Sequence, residues 1–467
     1  MKTWGRLLCW TAIAAAAFHG AYASAHTSIL VVLYLYALLR LARADRWRQA
    51  FYSGLAAGFL IAVARLAFFW RLFSAGAIGL WLIYAFWVGL FVALARLCLR
   101  RFGAPGGWLL IPFVWTGLEY FRSELYYLRF SWLNIGYAFA GASWQAGLKL
   151  TGVYGAGFLL AGLAAAAAGA RRKSRLRAGA VLVLGAGAVC LGGWLAGKVS
   201  PAPSVAGIRV AGVQMEFPTE AEVVLRLEDL VQEHPEAELL VLSEYTFDGQ
   251  VPAAVRAWCR ENRRYLVVGG KDPAPGGNYD NTAFVVGPDG DICFRQVKAM
   301  PIQFIKDGRP AREQKPWASP WGKLGLCICY DLSYTRVTDR LIRQGAQALI
   351  VPTMDTADWG RAQHVLHARV TPVRALESGV PIFRLASSGI SQLTDGAGRV
   401  LATAPFPGGG ATLAGTLELR AAGRLPLDRG LAPCAVAVTG ALLIGFVFLR
   451  RPSVRQPPAQ ENCGMVA

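Results

Sequence analysis

Eight apolar runs, punctuated by short clusters of basic residues, most constrain what this 467-residue chain can fold into. They cover about 7–25, 27–42, 51–70, 76–98, 107–121, 147–170, 178–197 and 430–449. Most approach the ~20 residues that carry a helix across a bilayer, the second and fifth being short. The chain is 54% hydrophobic and 16% charged, with a mean hydropathy of +0.37, which is more apolar than soluble domains. A formal charge of +19 would suit a nucleic-acid partner if it formed a continuous stripe. Instead the basic residues sit in short runs between apolar segments, the arrangement of cytoplasmic loops, and a nucleic-acid role is excluded.

Those clusters also set the sides. Arg40, Arg43, Arg46 and Arg48 follow the second run, and Arg96, Arg100 and Arg101 follow the fourth. Arg171, Arg172, Lys173, Arg175 and Arg177 follow the sixth, and Arg450 and Arg451 the last. The fifth run is short and contains Glu119, yet the clusters at 96–101 and 171–177 share a side only if an even number of crossings joins them. The sixth run is plainly membranous, so the fifth spans too. Eight crossings leave both termini cytoplasmic and residues 200–428 outside, which is the periplasm of a double-membrane bacterium. The first run follows Lys2 and Arg6 and ends in Ala23-Ser24-Ala25, so it reads either as a cleaved signal peptide or as a retained helix. The spans that follow at once favour retention.

Residues 122–147 form an external loop rich in aromatics: Tyr126, Tyr127, Phe130, Trp132, Tyr137, Phe139 and Trp144. It reads as an interfacial aromatic belt or as an arm lying on the membrane beside an active site. Glu119 and Arg122, costly in lipid, are expected to pair with each other or to line a polar cavity.

After a linker at 199–206 the pattern changes to alternating strands and helices. Strands are expected at Ile208–Gln214, Leu239–Ser243, Tyr265–Gly269 and Ala348–Pro352, with helices ending near Glu233 and at about 251–262, 334–344 and 361–378. This is an α/β arrangement. Three strands end in chemistry-bearing side chains. Leu239–Ser243 runs into Glu244. A hairpin with its turn at Gly287-Pro288-Asp289-Gly290 returns along Ile292–Val297 to Lys298. The stretch Lys323–Ile328 delivers Cys329 at its tip, partly exposed. Singly, Glu244 and Lys298 read as solvated strand-end charges and Cys329 as a buried small hydrophobe. Together they lie where open α/β sheets place ligands, outside the carboxyl ends of strands. A Lys ammonium beside a thiol lowers its pKa and stabilises an oxyanion, and a Glu can shuttle the proton.

None of the nine cysteines has zinc-site spacing, and neither metal, cofactor nor structural disulfide is expected. Cys327 and Cys329 lie too far apart along an extended strand to bridge, and a period of two puts both on one face. The last residues, 452–467, read as a disordered tail.

The ordered trio resembles the carbon–nitrogen hydrolase (nitrilase) superfamily over roughly residues 205–420. Its most specific pieces are Ile328-Cys329-Tyr330-Asp331, Lys298 followed by Pro301, and Arg374-Ala375-Leu376-Glu377-Ser378-Gly379. Ser388-Gly389-Ile390-Ser391 followed by Asp395-Gly396-Ala397-Gly398-Arg399-Val400 completes the set. With the membrane half, the chain resembles the bacterial apolipoprotein N-acyltransferase family. Trp115 with Glu119 and Arg122, Phe130-Ser131-Trp132-Leu133-Asn134-Ile135-Gly136-Tyr137, and Thr151-Gly152-Val153-Tyr154-Gly155-Ala156-Gly157-Phe158 are similar to that family as well.

The resemblance implies a polytopic α-helical membrane domain plus an α/β domain. The latter is a nitrilase-like α-β-β-α sandwich inserted before the last transmembrane helix. The corresponding segments are 1–199 with seven spans, 205–425, a last span at 430–449, and a cytoplasmic tail at 450–467. It implies an enzyme that moves an acyl chain from a membrane phospholipid to the N-terminal amine of a diacylglyceryl-cysteine lipoprotein. Cys329 would be the nucleophile, Glu244 the general base and Lys298 the oxyanion partner, while Tyr330 and Asp331 hold the loop. Trp132, Tyr137, Glu119 and Arg122 would support the substrate side. The expected setting is the bacterial inner membrane, with a monomer facing the periplasm.

The sequence departs from the family in two places. Its Pro-Phe-Gly-Glu after the lysine is replaced by a run in which Phe304 falls where the glutamate is expected, with Gln303 and Asp307 nearby. Its Asn-Asp-x-Trp-Phe segment is replaced by Thr353-Met354-Asp355-Thr356-Ala357-Asp358-Trp359-Gly360. Two other readings stand beside acyl transfer: a membrane-tethered amidase or hydrolase, and an inactive lipid- or lipoprotein-binding paralogue.

Overall fold

A computed structural model of the chain describes residues 2–103, 106–142, 145–170, 203–421 and 423–448. The run at 178–197, the cluster at 171–177, Trp144 and the tail at 452–467 lie outside the described residues. The other apolar runs form helices α1 (Lys2–Ala23), α2 (Leu30–Leu41), α3 (Trp47–Arg65), α4 (Phe69–Phe73), α5 (Gly76–Phe102), α6 (Gly106–Tyr120) and α7 (Leu148–Gly169). Among the described residues, Gly76–Phe102, Gln145–Gly169 and Asp428–Phe448 are long and apolar enough to cross a membrane by length and composition. The run at 27–42 gives only 12 helical residues. Its first part is a 3-10 turn, Ala25–Thr27, whose entry is capped by the Ser24 side chain accepting the His26 N–H. The short fifth run is instead prolonged: beyond Tyr120 the chain continues as a π-helical turn, Phe121–Leu125, which turns Arg122, Ser123 and Glu124 inward.

Helix α7 is broken at Gly152, whose φ of 71° belongs to the left-handed region and where a Cβ would overlap the Asp428 carboxylate. The break creates a new helix N-terminus inside the protein, with N–H groups that need acceptors. Val153 N–H donates to Glu377 Oε1 (2.8 Å) and Tyr154 N–H donates to Asp428 Oδ2 (3.0 Å). Arg429 holds both acids and reaches Asp339 as well, at 2.8 Å from Asp428, 3.3 Å from Glu377 and 2.8 Å from Asp339. One helix break thus joins the N-terminal helices, the α/β region and the last helix.

The α/β region opens with β1 (Ser204–Val213), β2 (Leu239–Val241), β3 (Tyr265–Ala274), β4 (Asn278–Val286) and β5 (Ile292–Val297). Strand β1 begins inside the expected linker, where Ser204 pairs with Arg420. The first sheet has six strands, Thr412–Arg420 (β12) adding to the β1 edge, and β1, β2 and β3 run parallel. The second sheet runs in the order β11 (Val400–Ala404), β10 (Ser391–Thr394), β9 (Ile382–Ala386), β8 (Ala348–Thr353), β7 (Gly322–Leu326) and β6 (Trp317–Ser319). The period of two sorts the first sheet cleanly. Val210, Leu239, Val241, Val267, Ala283 and Val285 belong to the core shared with the second sheet. Their neighbours Ala211, Leu240, Leu242, Leu266, Val268 and Phe284 pack against helices α8 (Glu220–Glu233) and α9 (Ala253–Asn262). Helices α10 (Thr335–Arg343), α11 (Arg361–Ala368) and α12 (Val370–Ser378) accompany the second sheet, giving an α-β-β-α sandwich, and α13 (Asp428–Phe448) follows.

The helix expected over 361–378 is two helices. Pro372 has no N–H to offer Ala368, and its ring disfavours continuation through the preceding turn, so the ladder stops at Ala368 and restarts at Val370.

Candidate active site

Strand β7 stops at Leu326, three residues short of Cys329. The chain then turns into a 3-10 segment, Cys329–Ser333, with Cys329 at φ 50°. That conformation is uncommon for a residue with a side chain and costs on the order of 1 kcal/mol, so it needs local support. Asp331 supplies it. Its carboxylate accepts N–H bonds from Ile328 (3.1 Å), Ala299 (3.0 Å) and Met300 (2.7 Å). The same side chain therefore fixes the cysteine turn and the chain just after Lys298. Cys329 is 2% exposed, not partly exposed as its strand-tip position suggested. Because the strand ends early, the shared-face argument for Cys327 fails; Cys327 is fully buried and its N–H bonds Ile350 O in the sheet (3.1 Å).

Glu244 follows β2 and packs tightly on β3, where a Cβ on Gly269 would come within 2.5 Å of Glu244 Cα. Its two oxygens are fully engaged. Oε1 accepts from Lys298 Nζ (2.8 Å) and Asn281 Nδ2 (2.6 Å), and Oε2 accepts the Met354 N–H (2.8 Å). The Cys329 thiol donates to the carbonyl of that same Met354 (3.6 Å), so thiol and carboxylate meet on one residue. Lys298 is 0% exposed and has a second acid, Asp307 Oδ2, at 2.7 Å. Asp307 is itself held by Tyr245 OH (2.7 Å), Asn281 Nδ2 (2.9 Å) and Ile302 N–H (2.7 Å). Phe304, at the position expected for the family's glutamate, is 66% exposed and meets Phe73 instead, while Gln303 donates to Tyr127 O.

The electrostatics follow from this packing. Burial pushes the Cys329 thiol well above its ordinary value; the Glu244 charge adds to that and Lys298 opposes it. Burial alone would depress Lys298, but Asp307 and Glu244 hold it well above its ordinary value, as an ammonium. Burial raises Glu244, Lys298 opposes and Asp307 reinforces, and the net shift is upward. Burial also works against the Asp307 charge, but Lys298 prevails and keeps that carboxyl low. The same lysine thus favours the charged form of Asp307, while the Glu244 carboxyl is shifted toward holding a proton.

The thiol faces an apolar cavity walled by Leu66, Phe69, Leu72, Ile83 and Trp87 from the N-terminal helices and by Phe130 and Trp132 from the aromatic loop. That loop is an arm against the α/β region: Trp132 Nε1–H donates to Ser333 Oγ (2.8 Å), and the indole stacks on His367 at 4.6 Å. Tyr330 and Arg122 also line the cavity. Arg122 and Glu119 pair at 3.8 Å; Arg122 bonds Asn134 Oδ1 and Glu119 accepts the Ile135 N–H, so they brace the arm. Tyr137 does not line the cavity; it is buried under the Arg374 guanidinium, 5.7 Å from its ring centre. Arg374 in turn donates to Ser333 O and Leu332 O and pairs with Glu377, linking the cysteine turn to the α7 break.

A second buried cluster escaped the sequence reading. Asp355 accepts from Gln363 Nε2 (2.9 Å), contacts His367 Nδ1 (2.9 Å) and pairs with the fully buried Arg384. Burial lowers the His367 pKa, Asp355 opposes and Arg384 assists, which favours the neutral ring; among the described residues its buried Nε2 has no hydrogen-bond partner, and His367 lines the cavity. His364 and His367, three residues apart on one helical face next to Asp355, were the available signal.

Residues 11–166 match the family described as the apolipoprotein N-acyltransferase N-terminal domain, and residues 209–423 match carbon–nitrogen hydrolase. In chain order these are the two parts of an apolipoprotein N-acyltransferase, and the chain is similar to that family over most of its length while diverging from it in sequence. It is 24% identical over 374 residues to an apolipoprotein N-acyltransferase of Geobacter metallireducens, covering 68% of this chain and 70% of that one. Against the enzyme of the same name from Bordetella bronchiseptica it is 26% identical over 420 residues, covering 73% of each. A carbon–nitrogen hydrolase structure from Helicobacter pylori G27 superposes with a TM-score of 0.41 at 19% identity, covering 53% of this chain and 96% of that one.

Proposed function

We propose that the protein transfers an acyl chain from a membrane phospholipid to the N-terminal amine of a diacylglyceryl-cysteine lipoprotein, through a thioester on Cys329. The observation that carries this reading is a buried Cys329–Glu244–Lys298–Asp307 group whose cysteine lines an apolar cavity walled in part by the N-terminal helices.

In the first half-reaction Glu244 takes the thiol proton as sulfur bonds to the ester carbonyl carbon. Lys298 balances the oxyanion, its charge already fixed by Asp307. The ester C–O bond breaks, Glu244 returns the proton to the departing alkoxide, and a lysophospholipid leaves. In the second half the acceptor amine attacks the thioester carbonyl while Glu244 takes a nitrogen proton. The C–S bond breaks, the thiolate regains the proton, and an amide remains. An apolar cavity suits this sequence because the thioester must outlast water until the amine arrives. Asp331 and Tyr330 position the cysteine turn, and Trp132 and Arg122 wall the acyl side. Eight crossings with residues 200–428 in the periplasm would place the site where both lipid-anchored substrates lie.

The test uses purified full-length protein with phospholipid and a diacylglyceryl-cysteine peptide, followed by mass spectrometry of the peptide. One added acyl chain on the amine supports transfer. Free fatty acid without peptide acylation replaces this reading with a hydrolase, and no turnover at all with a binding paralogue.

A further inference from the structure

The loop Ile302–Ile305 has a cavity on each side. One is the apolar cavity of the thiol. The other, of about 690 Å³, is lined by Arg129, Arg312, Arg336 and Arg340 together with Met300, Gln314 and Tyr127. Arg129 and the four loop residues line both, so the two spaces adjoin. We propose that this arginine-lined cavity binds the phosphate of the phospholipid donor while its acyl ester lies at Cys329, an inference that rests on the acyl-transfer reading.

Three observations support an anionic ligand. First, the arginines lack ion-pair partners: among the described residues none of the four has a carboxylate within 4.0 Å, and the Glu124 charge acts on Arg336 only from beyond that distance. Second, Arg129 and Arg336 crowd the same ring, with guanidinium carbons 5.8 and 5.9 Å from the centre of Tyr334. Among the described residues Arg129 Nε is buried without a hydrogen-bond partner, and the Arg336 guanidinium has one hydrogen bond, to the Met300 sulfur (3.0 Å). Partial burial and the Arg129 charge hold Arg336 below its ordinary value, which a bound anion would relieve. Third, the cluster is tied to the nucleophile. The Arg129 carbonyl accepts from Tyr330 OH (3.1 Å), next in sequence to Cys329, and from Tyr334 OH (3.4 Å). Guanidinium forks match phosphate oxygens in pairs, so two convergent arginines suit one phosphate. The source is a lipid because the basic cavity shares a wall with the apolar one. That wall carries Phe304 and Ile305, exposed by 66% and 40%, as an apolar rim.

The test reads binding rather than catalysis, so it reports even if acyl transfer fails. Full-length Cys329→Ala in detergent is titrated with dihexanoyl phosphatidylglycerol, with dihexanoylglycerol, and with inorganic phosphate, following tryptophan fluorescence. The phospholipid should bind at least roughly ten-fold tighter than the phosphate-free lipid. Arg129→Gln with Arg336→Gln should close that gap. Arg340→Gln, at an exposed position, serves as the milder variant and should narrow it. Equal affinity for both lipids, or a gap that survives all three substitutions, overturns the proposal. Inorganic phosphate that binds as tightly as the phospholipid and displaces it assigns the cavity to a free anion and overturns the lipid source. Failure of the acyl-transfer reading is seen separately, as wild type that forms no thioester with any acyl ester.

Discussion

Asp307 Oδ2 lies 2.7 Å from Lys298 Nζ, within an ion pair whose two members are almost completely buried. Glu244 lies on the same ammonium at 2.8 Å, so one lysine is shared by two acids. Their roles differ because their surroundings differ. Asp307 receives a hydroxyl, an amide and a backbone N–H in addition to the lysine, which favours its charge. Glu244 is raised by burial and by the Asp307 charge, which suits the proton-carrying role proposed for it.

Replacing Asp307 with Asn should therefore slow Cys329 acylation by roughly 10- to 100-fold, a share of the usual general-base contribution. Removing the negative charge lowers the Glu244 pKa, so the acid limb of the rate profile should move to lower pH. The rate of thioester formation across pH checks both. An unchanged rate and an unmoved limb would make Asp307 a mere structural filler.

Glu244→Gln keeps the shape and hydrogen bonds but cannot carry the proton. Acylation should fall by roughly 10²- to 10⁴-fold. In the wild type the reaction needs ionised Glu244, so the rate should drop as pH falls through a value above the ordinary 4.5. Single-turnover kinetics on the two proteins decide it.

Asp355→Asn leaves the fully buried Arg384 without its counter-charge. The cost should be about 3–5 kcal/mol, visible as a lower thermal midpoint in detergent. Burial opposes the Asp355 charge, yet His367 and Arg384 hold its pKa well below the ordinary 3.8. The folded pKa is depressed, so this contribution is complete above 3.8 and lost progressively as pH falls below it. Acid unfolding of the wild type below pH 3.8 that Asp355→Asn does not share is the matching signature.

Gly152→Ala forces a side chain into the left-handed region and against the Asp428 carboxylate. It should cost on the order of 2 kcal/mol or more and loosen the joint that Glu377, Asp428 and Arg429 make around the α7 break. Glu377→Gln should weaken the same joint through Val153 and Arg429 without backbone strain. Comparing the thermal midpoints of the two variants separates strain from lost ionic capping.

Much of the architecture was legible because each layer has its own period. Apolar stretches marked the helices, and the succession of strand-like and helix-like segments after the linker marked an α/β region. The ends of three strands pointed to Glu244, Lys298 and Cys329 because strand ends are where parallel sheets expose side chains. What stayed hidden depends on contacts between distant segments. The contact of Asp307 with Lys298 is set by the path of the 299–310 loop, which residue counting from Pro301 does not follow, so that counting led to Phe304. The Asp355–His367–Arg384 cluster needs β8, α11 and β9 to converge. The break at Gly152 was invisible in the hydropathy of its run, since its causes, Glu377 and Asp428, are more than 200 residues away.

The most direct measurement is intact mass spectrometry of purified protein after incubation with phospholipid, comparing wild type, Cys329→Ala and Cys327→Ala. Wild type and Cys327→Ala should each gain the mass of one acyl chain, and Cys329→Ala should gain none. An adduct that persists in Cys329→Ala, or folded wild type that gains none, would contradict a thioester on Cys329.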